Sequence, residues 1–270
     1  MSRLSAGDSA ARRGRELAGA PNAADFSEAL ARGLAVLAAF GAEHRRLTQA
    51  ELARELGLSR ATVRRAVLTL EHLGYLEADG RSYQLSPQVL GLAAGYLTSN
   101  LVSSVLQPAC DRICGEVGES CSVAVLSGAE MIMIAQAVPQ RLIAVGSGIG
   151  YRVPSVSSAL GRALLAHLSD DERDRYLAGL AAGGGSGAEG DAVALREVLD
   201  QVRADGYCYV ANDVESGFQS VAVPLRRWDG RPVAALNLGC HTDRMSPETM
   251  RGEILNLLLE RAEQLRAQLI

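Results

Sequence analysis

The stretch from Thr48 to Leu85 constrains this chain more than any other. Thr48 is followed three residues later by Glu51, the spacing of a capping box, and Gln49–Leu56 carries the helical pattern that such a start predicts. Gly57 ends that helix, Leu58 and Ser59 open another, and Arg60–Leu73 runs on to a second stop at Gly74. A short helix, a tight glycine-containing turn and a longer helix form a helix-turn-helix. Tyr75–Ala78 and Ser82–Leu85 then flank Asp79-Gly80-Arg81, so two short strands around an Asp-Gly turn predict a β-hairpin. A hairpin directly behind such a helix pair is a wing.

The second helix begins Ser59-Arg60-Ala61-Thr62-Val63-Arg64-Arg65, three arginines and two hydroxyls within two turns. Arginine reads a guanine edge through two bonds or grips a phosphate, and Ser and Thr suit phosphates. Ala61, Val63, Ala66, Val67 and Leu70 supply the small and apolar positions that dock such a helix on its neighbour. On a lone helix these arginines read as a solvated face. Behind a helix, a glycine turn and a hairpin, they read as a double-stranded DNA contact. Thr48, Ser59, Arg60, Thr62, Arg64 and Arg65 form the candidate set, with Arg81 and Tyr83 added from the hairpin.

The 270 residues suit two domains, and 48% hydrophobic content suffices for two cores. No apolar run approaches the ~18 residues of a membrane span, and the N-terminus lacks the apolar stretch of a signal peptide, so a soluble cytoplasmic protein is expected. Net charge is −4, which argues against a chain coated in nucleic acid but allows a local DNA-reading patch. All 27 basic residues are arginine, which a GC-rich genome explains without invoking function. The five cysteines, Cys110, Cys114, Cys121, Cys208 and Cys240, are odd in number and scattered, so reduced buried thiols are the plain expectation. Cys110 and Cys114 stand one helical turn apart without a second pair at zinc spacing, and no metal site is expected.

Residues 1–24 are mostly Ala, Gly, Ser and Arg, and disorder is expected there. A DNA-binding domain over 25–85 begins with a helix over Phe26–Phe40, N-capped by Ser27. Ser86–Leu106 predicts a linker helix, with Pro87 at an N1-like position. A larger domain over 107–270 opens with a helix over Gln107–Val117. Strands are expected at Cys121–Leu126, Met131–Ala137, Leu142–Val145, Tyr207–Val210, Ser220–Leu225 and Val233–Leu238. Helices are expected at Ala159–His167, Leu195–Asp205 and Glu248–Leu269, with a Gly/Ala loop over Ala181–Gly190. The irregular alternation predicts an α+β domain around an antiparallel core.

Catalytic chemistry finds little support. None of His44, His72, His167 and His241 has a patterned nucleophile or carboxylate partner; His72 and His167 fall late in helices, where a cation suits the dipole. Gly146-Ser147-Gly148-Ile149-Gly150 lacks the Lys-Ser/Thr ending of a phosphate loop. No cofactor is expected.

Several separated segments, in order, resemble the IclR family of regulators: Leu47–Tyr75, Leu85–Leu92, Gly150–Pro154, Ser158–Ala166, Ser220–Leu225 and Ala234–Leu238. The Arg-Ala-Thr-x-Arg-Arg reading helix, Leu-Gly-Arg-Ala-Leu-Leu-Ala and Ala-Leu-Asn are similar to the PcaR/PcaU/PobR branch, which controls aromatic-acid breakdown through the β-ketoadipate pathway. The resemblance implies a winged helix-turn-helix, a linker helix and a C-terminal GAF-like domain with one pocket for a small carboxylic acid. It further implies dimers, often paired into tetramers. Matched motif by motif, the amides near Ala159 and Leu160 open the helix after Pro154, where a helix N-terminus favours a carboxylate. Phe218, Ser220, Asn237 and Gly239 fall on the strands that line the pocket in relatives. Where relatives commonly carry an acidic pair, this chain reads Val210-Ala-Asn-Asp213-Val-Glu215-Ser-Gly217, and Ser155-Val-Ser157 replaces residues that are often aromatic or cysteine. Three other readings compete: a relative sensing a short aliphatic acid, a thiol-dependent GAF-domain enzyme using Cys121 or Cys208, and an architectural DNA binder without an effector.

Overall fold

The computed structural model describes residues 26–41, 44–99, 101–139, 148–183, 188–213 and 215–269. The expected disordered tail over 1–24 and the expected strand Leu142–Val145 lie outside these residues. The chain divides into two compact units, 1–96 and 97–270.

In the N-terminal unit, α1 (Glu28–Ala38) starts where Ser27 accepts from the Leu30 amide. β1 (Leu47–Thr48) leads into α2 (Gln49–Leu56), and the capping box is complete. The Thr48 hydroxyl accepts from the Glu51 amide at 3.3 Å, and the Glu51 carboxylate accepts from the Thr48 amide at 2.8 Å. These bonds hold the Glu51 carboxyl below its ordinary pKa. Gly57 closes α2 in the left-handed region, φ 61°, where a side chain would be strained. α3 (Arg60–His72) follows, N-capped by Ser59. The wing, β2 (Leu76–Asp79) and β3 (Ser82–Leu85), turns through Gly80 and Arg81. Positive φ falls on Gly80 alone of these two, the pattern of a type II′ turn. The short β1, which sequence reading missed, pairs with β3 and makes the wing three-stranded. Val36, Leu47, Leu52, Val63, Val67 and Leu76 form the core, each at under 5% exposure. Burying such side chains contributes roughly 1.5–3 kcal/mol apiece, which offsets the ordering of a small unit.

The expected helix boundary at Leu106/Gln107 is corrected. α4 spans Val89–Ser99, and α5 runs unbroken from Leu101 to Val117 through Pro108. Proline inside a helix costs about 3 kcal/mol. Leu106, Ala109, Cys110, Ile113 and Cys114 form a continuous buried stripe at helical spacing, and its burial offsets that cost.

The C-terminal unit is built on one antiparallel sheet of β4 (Ser120–Ser127), β5 (Glu130–Ala137), β6 (Arg152–Pro154), β7 (Cys208–Ala211), β8 (Phe218–Arg226) and β9 (Pro232–His241). Their spatial order is β6-β5-β4-β9-β8-β7. One face, with Cys121, Val123, Val221, Leu236 and Leu238, packs against α5 and the terminal helix. That helix is not regular throughout: α9 (Pro247–Thr249) passes into a π-helical turn, Met250–Ile254, before α10 (Leu255–Arg266). The other face carries α6 (Ala159–Leu165), which lies on β8 and β9. α7 (Asp170–Gly183) and α8 (Ala188–Asp205) pack behind α6 through Leu177, Leu199 and Val202. α7 was missed in the sequence, and α7 and α8 between them occupy most of the stretch read as the Ala181–Gly190 loop; residues 184–187 lie outside the described chain.

Candidate DNA-contacting and effector-binding sites

α3 buries Val63, Val67 and Leu70 and leaves Arg60, Arg64 and Arg65 exposed, so the apolar spacing turns the arginines outward. Among the described residues no carboxylate pairs with any of these three, whereas Arg46 is fixed to Asp79 at 2.7 Å and to Gln84 at 3.3 Å. The hydroxyls of the candidate set have internal work. Thr48 is held by Glu51, Ser59 lies 2.9 Å from the Thr62 hydroxyl, and the Tyr83 hydroxyl accepts from Gln49 at 3.1 Å. Arg81 is exposed at the wing tip beside Gly80. The outcome is an outward row of guanidiniums at the start of α3 with no carboxylate partner among the described residues, an arrangement that suits phosphate and base-edge contacts.

The second set of candidates comes together on the sheet face under α6. Register places Ser220 opposite Gly239 and Ala222 opposite Asn237. Asn237 donates to the Ser220 hydroxyl at 2.9 Å, and both side chains are more than nine-tenths buried. The Asn237 Oδ1 has no partner among the described residues. A buried orphan acceptor costs roughly 1–3 kcal/mol, so this one calls for a donor. The Ser220 hydroxyl both donates and accepts, so reversal of the amide presents Nδ2 instead and the pair serves a hydroxyl or a carboxylate. The half-buried Phe218 ring lies over Gly239, where a Cβ would stand 2.5 Å from Phe218 Cζ. The ring also meets His241 edge-on at 6.2 Å. Ala159 and Leu160 are buried at the start of α6, facing Ala222 and Ala235 respectively. Ser158 caps the Gly161 amide, and the first-turn amides have no acceptor within their own helix. The connection from β5 to β6 is described only at its ends.

Sequence reading missed two contributors, Ser122 and Arg162, and the Ser155 it noted has another role. Ser122 is buried on β4 directly opposite Asn237 and adds a hydroxyl to the same face. Its signal was a polar residue at alternate spacing within an apolar strand. Arg162, the one charged residue in α6, donates to the Val156 carbonyl at 2.7 Å and pairs with Asp213 at 2.9 Å. It thereby ties α6 to the loop before it and to the turn that delivers Phe218. Ser155 is fully buried and bonds the Ala129 carbonyl and the Tyr176 hydroxyl, so it works as a structural tie.

A thiol-dependent reaction is not favoured. Cys208 is 3% exposed and burial pushes its thiol up to about 12. A hydrogen bond with Cys110, together with burial, raises the Cys121 thiol well above its ordinary value. Neither supplies the thiolate that nucleophilic chemistry needs. His167 is also corrected. It lies just past α6, and burial, then Arg226 and Arg203, lower its pKa, so it is not the helix-end cation the sequence suggested.

The IclR helix-turn-helix domain matches residues 29–80, and the IclR C-terminal domain of bacterial transcriptional regulators matches residues 94–267. The Pca regulon regulatory protein of Pseudomonas putida is 39% identical over 91% of this chain and 85% of its own length. The p-hydroxybenzoate hydroxylase transcriptional activator of Acinetobacter baylyi is 32% identical over 90% of this chain and 92% of its own. The crystal structure of an IclR homolog complexed with 4-hydroxybenzoate, from Microbacterium hydrocarbonoxydans, superposes with a TM-score of 0.72 at 25% identity, covering 90% of this chain and 99% of that one. With both domains matched in order around a helix-turn-helix and an antiparallel-sheet domain, this chain belongs to the IclR family of bacterial transcriptional regulators.

Proposed function

We propose that this regulator controls an operon for aromatic-acid breakdown, of the β-ketoadipate type, by sensing a small aromatic carboxylic acid in its C-terminal unit. The domain division is a winged helix over 25–85, a linker over 86–106 and an effector-binding and oligomerisation domain over 107–270. α3 enters the major groove, with Arg60, Arg64 and Arg65 on base edges or phosphates and Thr48, Ser59 and Thr62 on the backbone; Arg81 and Tyr83 carry the wing's contacts. A homodimer or tetramer presents its heads to paired half-sites. The acid lies between α6 and the sheet, its carboxylate at the amides of Ala159 and Leu160, its ring against Phe218 over Gly239, and its polar substituent on Asn237 and Ser220. The protein acts in the cytoplasm and catalyses nothing; no described helix is long and apolar enough to cross a membrane. Effector binding shifts the two heads between arrangements by its differential affinity for them.

The observation that carries this reading is the buried Asn237–Ser220 pair with its open acceptor, on the sheet face under α6. The relatives' stated roles in p-hydroxybenzoate and Pca regulation supply the ligand class. A thermal-shift panel of aromatic acids and ring-cleavage products tests it, since a ligand of the folded state alone must raise the melting temperature. One aromatic acid that stabilises the protein and alters operator affinity is the expected result. Silence across the panel, with a shift from a short aliphatic acid, would sink the aromatic assignment.

A further inference from the structure

We propose that the C-terminal unit holds a second binding site, for a small oxyanion, in the groove lined by His167, Asp170, Arg203, Gly206 and Arg226. The groove is a shallow, open depression of about 740 Å³ and lies past the C-terminal end of α6, at the far end of that helix from Ser158. Its charges do not balance. Arg203 donates to the Leu168 and Ala166 carbonyls and pairs with Asp170 at 2.8 Å. Asp170 is shared with Arg173 at 3.5 Å, and Arg173 is matched in turn by Asp200 at 2.7 Å. Arg266, within electrostatic reach on α10, has Glu263 at 3.5 Å. Arg226 is the unmatched cation. It is half-buried, donates to the Gly230 carbonyl at 3.1 Å, and has no carboxylate within ion-pair distance among the described residues. Its other donor positions make no hydrogen bond among the described residues.

His167 supplies the switchable partner. Its Nδ1 lies 2.8 Å from the Ala163 carbonyl, which can only accept, so Nδ1 carries the hydrogen and Nε2 is the nitrogen that titrates. Burial and the positive field of Arg226 and Arg203 favour the neutral ring. The charged groups around it are Arg203 on α8, Arg226 on β8 and Asp170 at the head of α7, with Arg266 on α10 in electrostatic reach of Arg226. An oxyanion in the groove reverses that field. Nε2 then takes up a proton from solvent and donates to the ligand beside the Arg226 fork. A dianion fits best, one charge for Arg226 and one for the imidazolium. Inorganic oxyanions, phosphorylated metabolites and dicarboxylates share this chemistry.

The test uses the full chain with 13Cε1-labelled histidine, titrated from pH 5 to 8 in chloride and in sulfate at equal ionic strength. Sulfate keeps its charge across this range. The His167 signal is assigned by its loss in His167→Gln. Sulfate is expected to raise the apparent pKa of His167 by about 0.5 or more while His44, His72 and His241 stay put. Arg226→Gln is expected to abolish the response, and Arg226→Lys, which keeps the charge without the fork, to weaken it; the lysine variant carries the test if the glutamine variant does not fold. An unresponsive His167 would overturn the proposal. So would a response of equal size in the variants, or one shared by all four histidines. Replacing sulfate by phosphate or by succinate then separates tetrahedral oxyanions from dicarboxylates, and a response to either supports the site.

Discussion

Every side-chain cation of this chain except histidine is an arginine, yet α3 and the C-terminal unit use arginine in opposite ways. On α3, Arg60, Arg64 and Arg65 stand exposed with no carboxylate partner among the described residues. In the C-terminal unit arginine is mostly a staple. Arg162 holds Asp213, Arg173 holds Asp200, Arg244 holds the buried Glu119, and Arg261 holds Glu116, 145 residues away. Burial contributes for Arg162, Arg173 and Arg261, whose side chains are at most 27% exposed. A guanidinium left in water keeps its donors for a partner, whereas a half-buried one must satisfy them within the chain. Arg226 departs from that pattern: it is half-buried beside His167 and has no carboxylate within ion-pair distance among the described residues.

That contrast can be broken by substitution, and the largest effect belongs to the staples. Arg203→Ala removes two bonds to the carbonyls after α6 and one to Asp170, and a loss of about 2–3 kcal/mol in the C-terminal unit is expected by chemical denaturation. An unchanged denaturation midpoint would show that the staple is ornamental. Arg64→Ala and Arg65→Ala should do the reverse. Operator affinity falls by about 1–3 kcal/mol for each, with stability within about 0.5 kcal/mol of the parent. Equal losses on operator and unrelated DNA would assign the residue to phosphate, and no loss on either would remove it from the interface. Asn237→Leu fills the polar notch beside Ser220, and the melting-temperature gain from the stabilising acid should vanish while effector-free operator binding persists; about 1–3 kcal/mol of effector affinity is at stake. Thr48→Ala opens the capping box and should cost about 1 kcal/mol, confined to the N-terminal unit.

The smallest effect is a pH slope. The folded-state pKa of His167 is depressed below its ordinary 6.5, by burial first and then by Arg226 and Arg203. The unfolded chain therefore binds the proton more readily, so the stability is full above pH 6.5 and is lost as pH falls through the folded value. The carboxylates whose pKa values are lowered, Glu51, Asp170, Glu172 and Glu248, lose their contribution only at more acid pH. Melting temperatures of the parent and of His167→Gln between pH 7.5 and 5 should therefore diverge, the variant showing the flatter slope. Parallel curves would mean that His167 titrates alike in both states.

The N-terminal unit was legible because its determinants are local. Thr48 and Glu51, Gly57, Ser59 and Gly80 act within four residues of themselves, and each appears in the structure in the role its spacing assigned. β1 escaped notice because two residues carry no periodicity; pairing with Tyr83 and Ser82 makes them a strand. In the C-terminal unit the long apolar strands β4, β5, β8 and β9 were readable, but α7 was not, since its acidic first turn and small residues show no clean apolar stripe. The helix break expected before Gln107 failed for a tertiary reason: burial of Leu106 and Ala109 on the sheet carries the helix through Pro108.

By itself, the sequence determined the elements whose causes lie within a turn of the chain: the caps, the glycine turns, the wing and the outward arginines of α3. Through the family resemblance it also singled out Ser220 and Asn237 as pocket-lining candidates. Only the tertiary structure decided that these two meet, because β8 and β9 pair in one register and no local rule selects it. It likewise decided that Gly161 must be glycine, since a Cβ there would stand 2.0 Å from the Ser155 carbonyl oxygen. And it decided which arginines lack a carboxylate, for a guanidinium's partner is set by whatever the fold brings beside it: Asp213, 51 residues away, for Arg162, and for Arg226 the Gly230 carbonyl, with no carboxylate in ion-pair distance among the described residues.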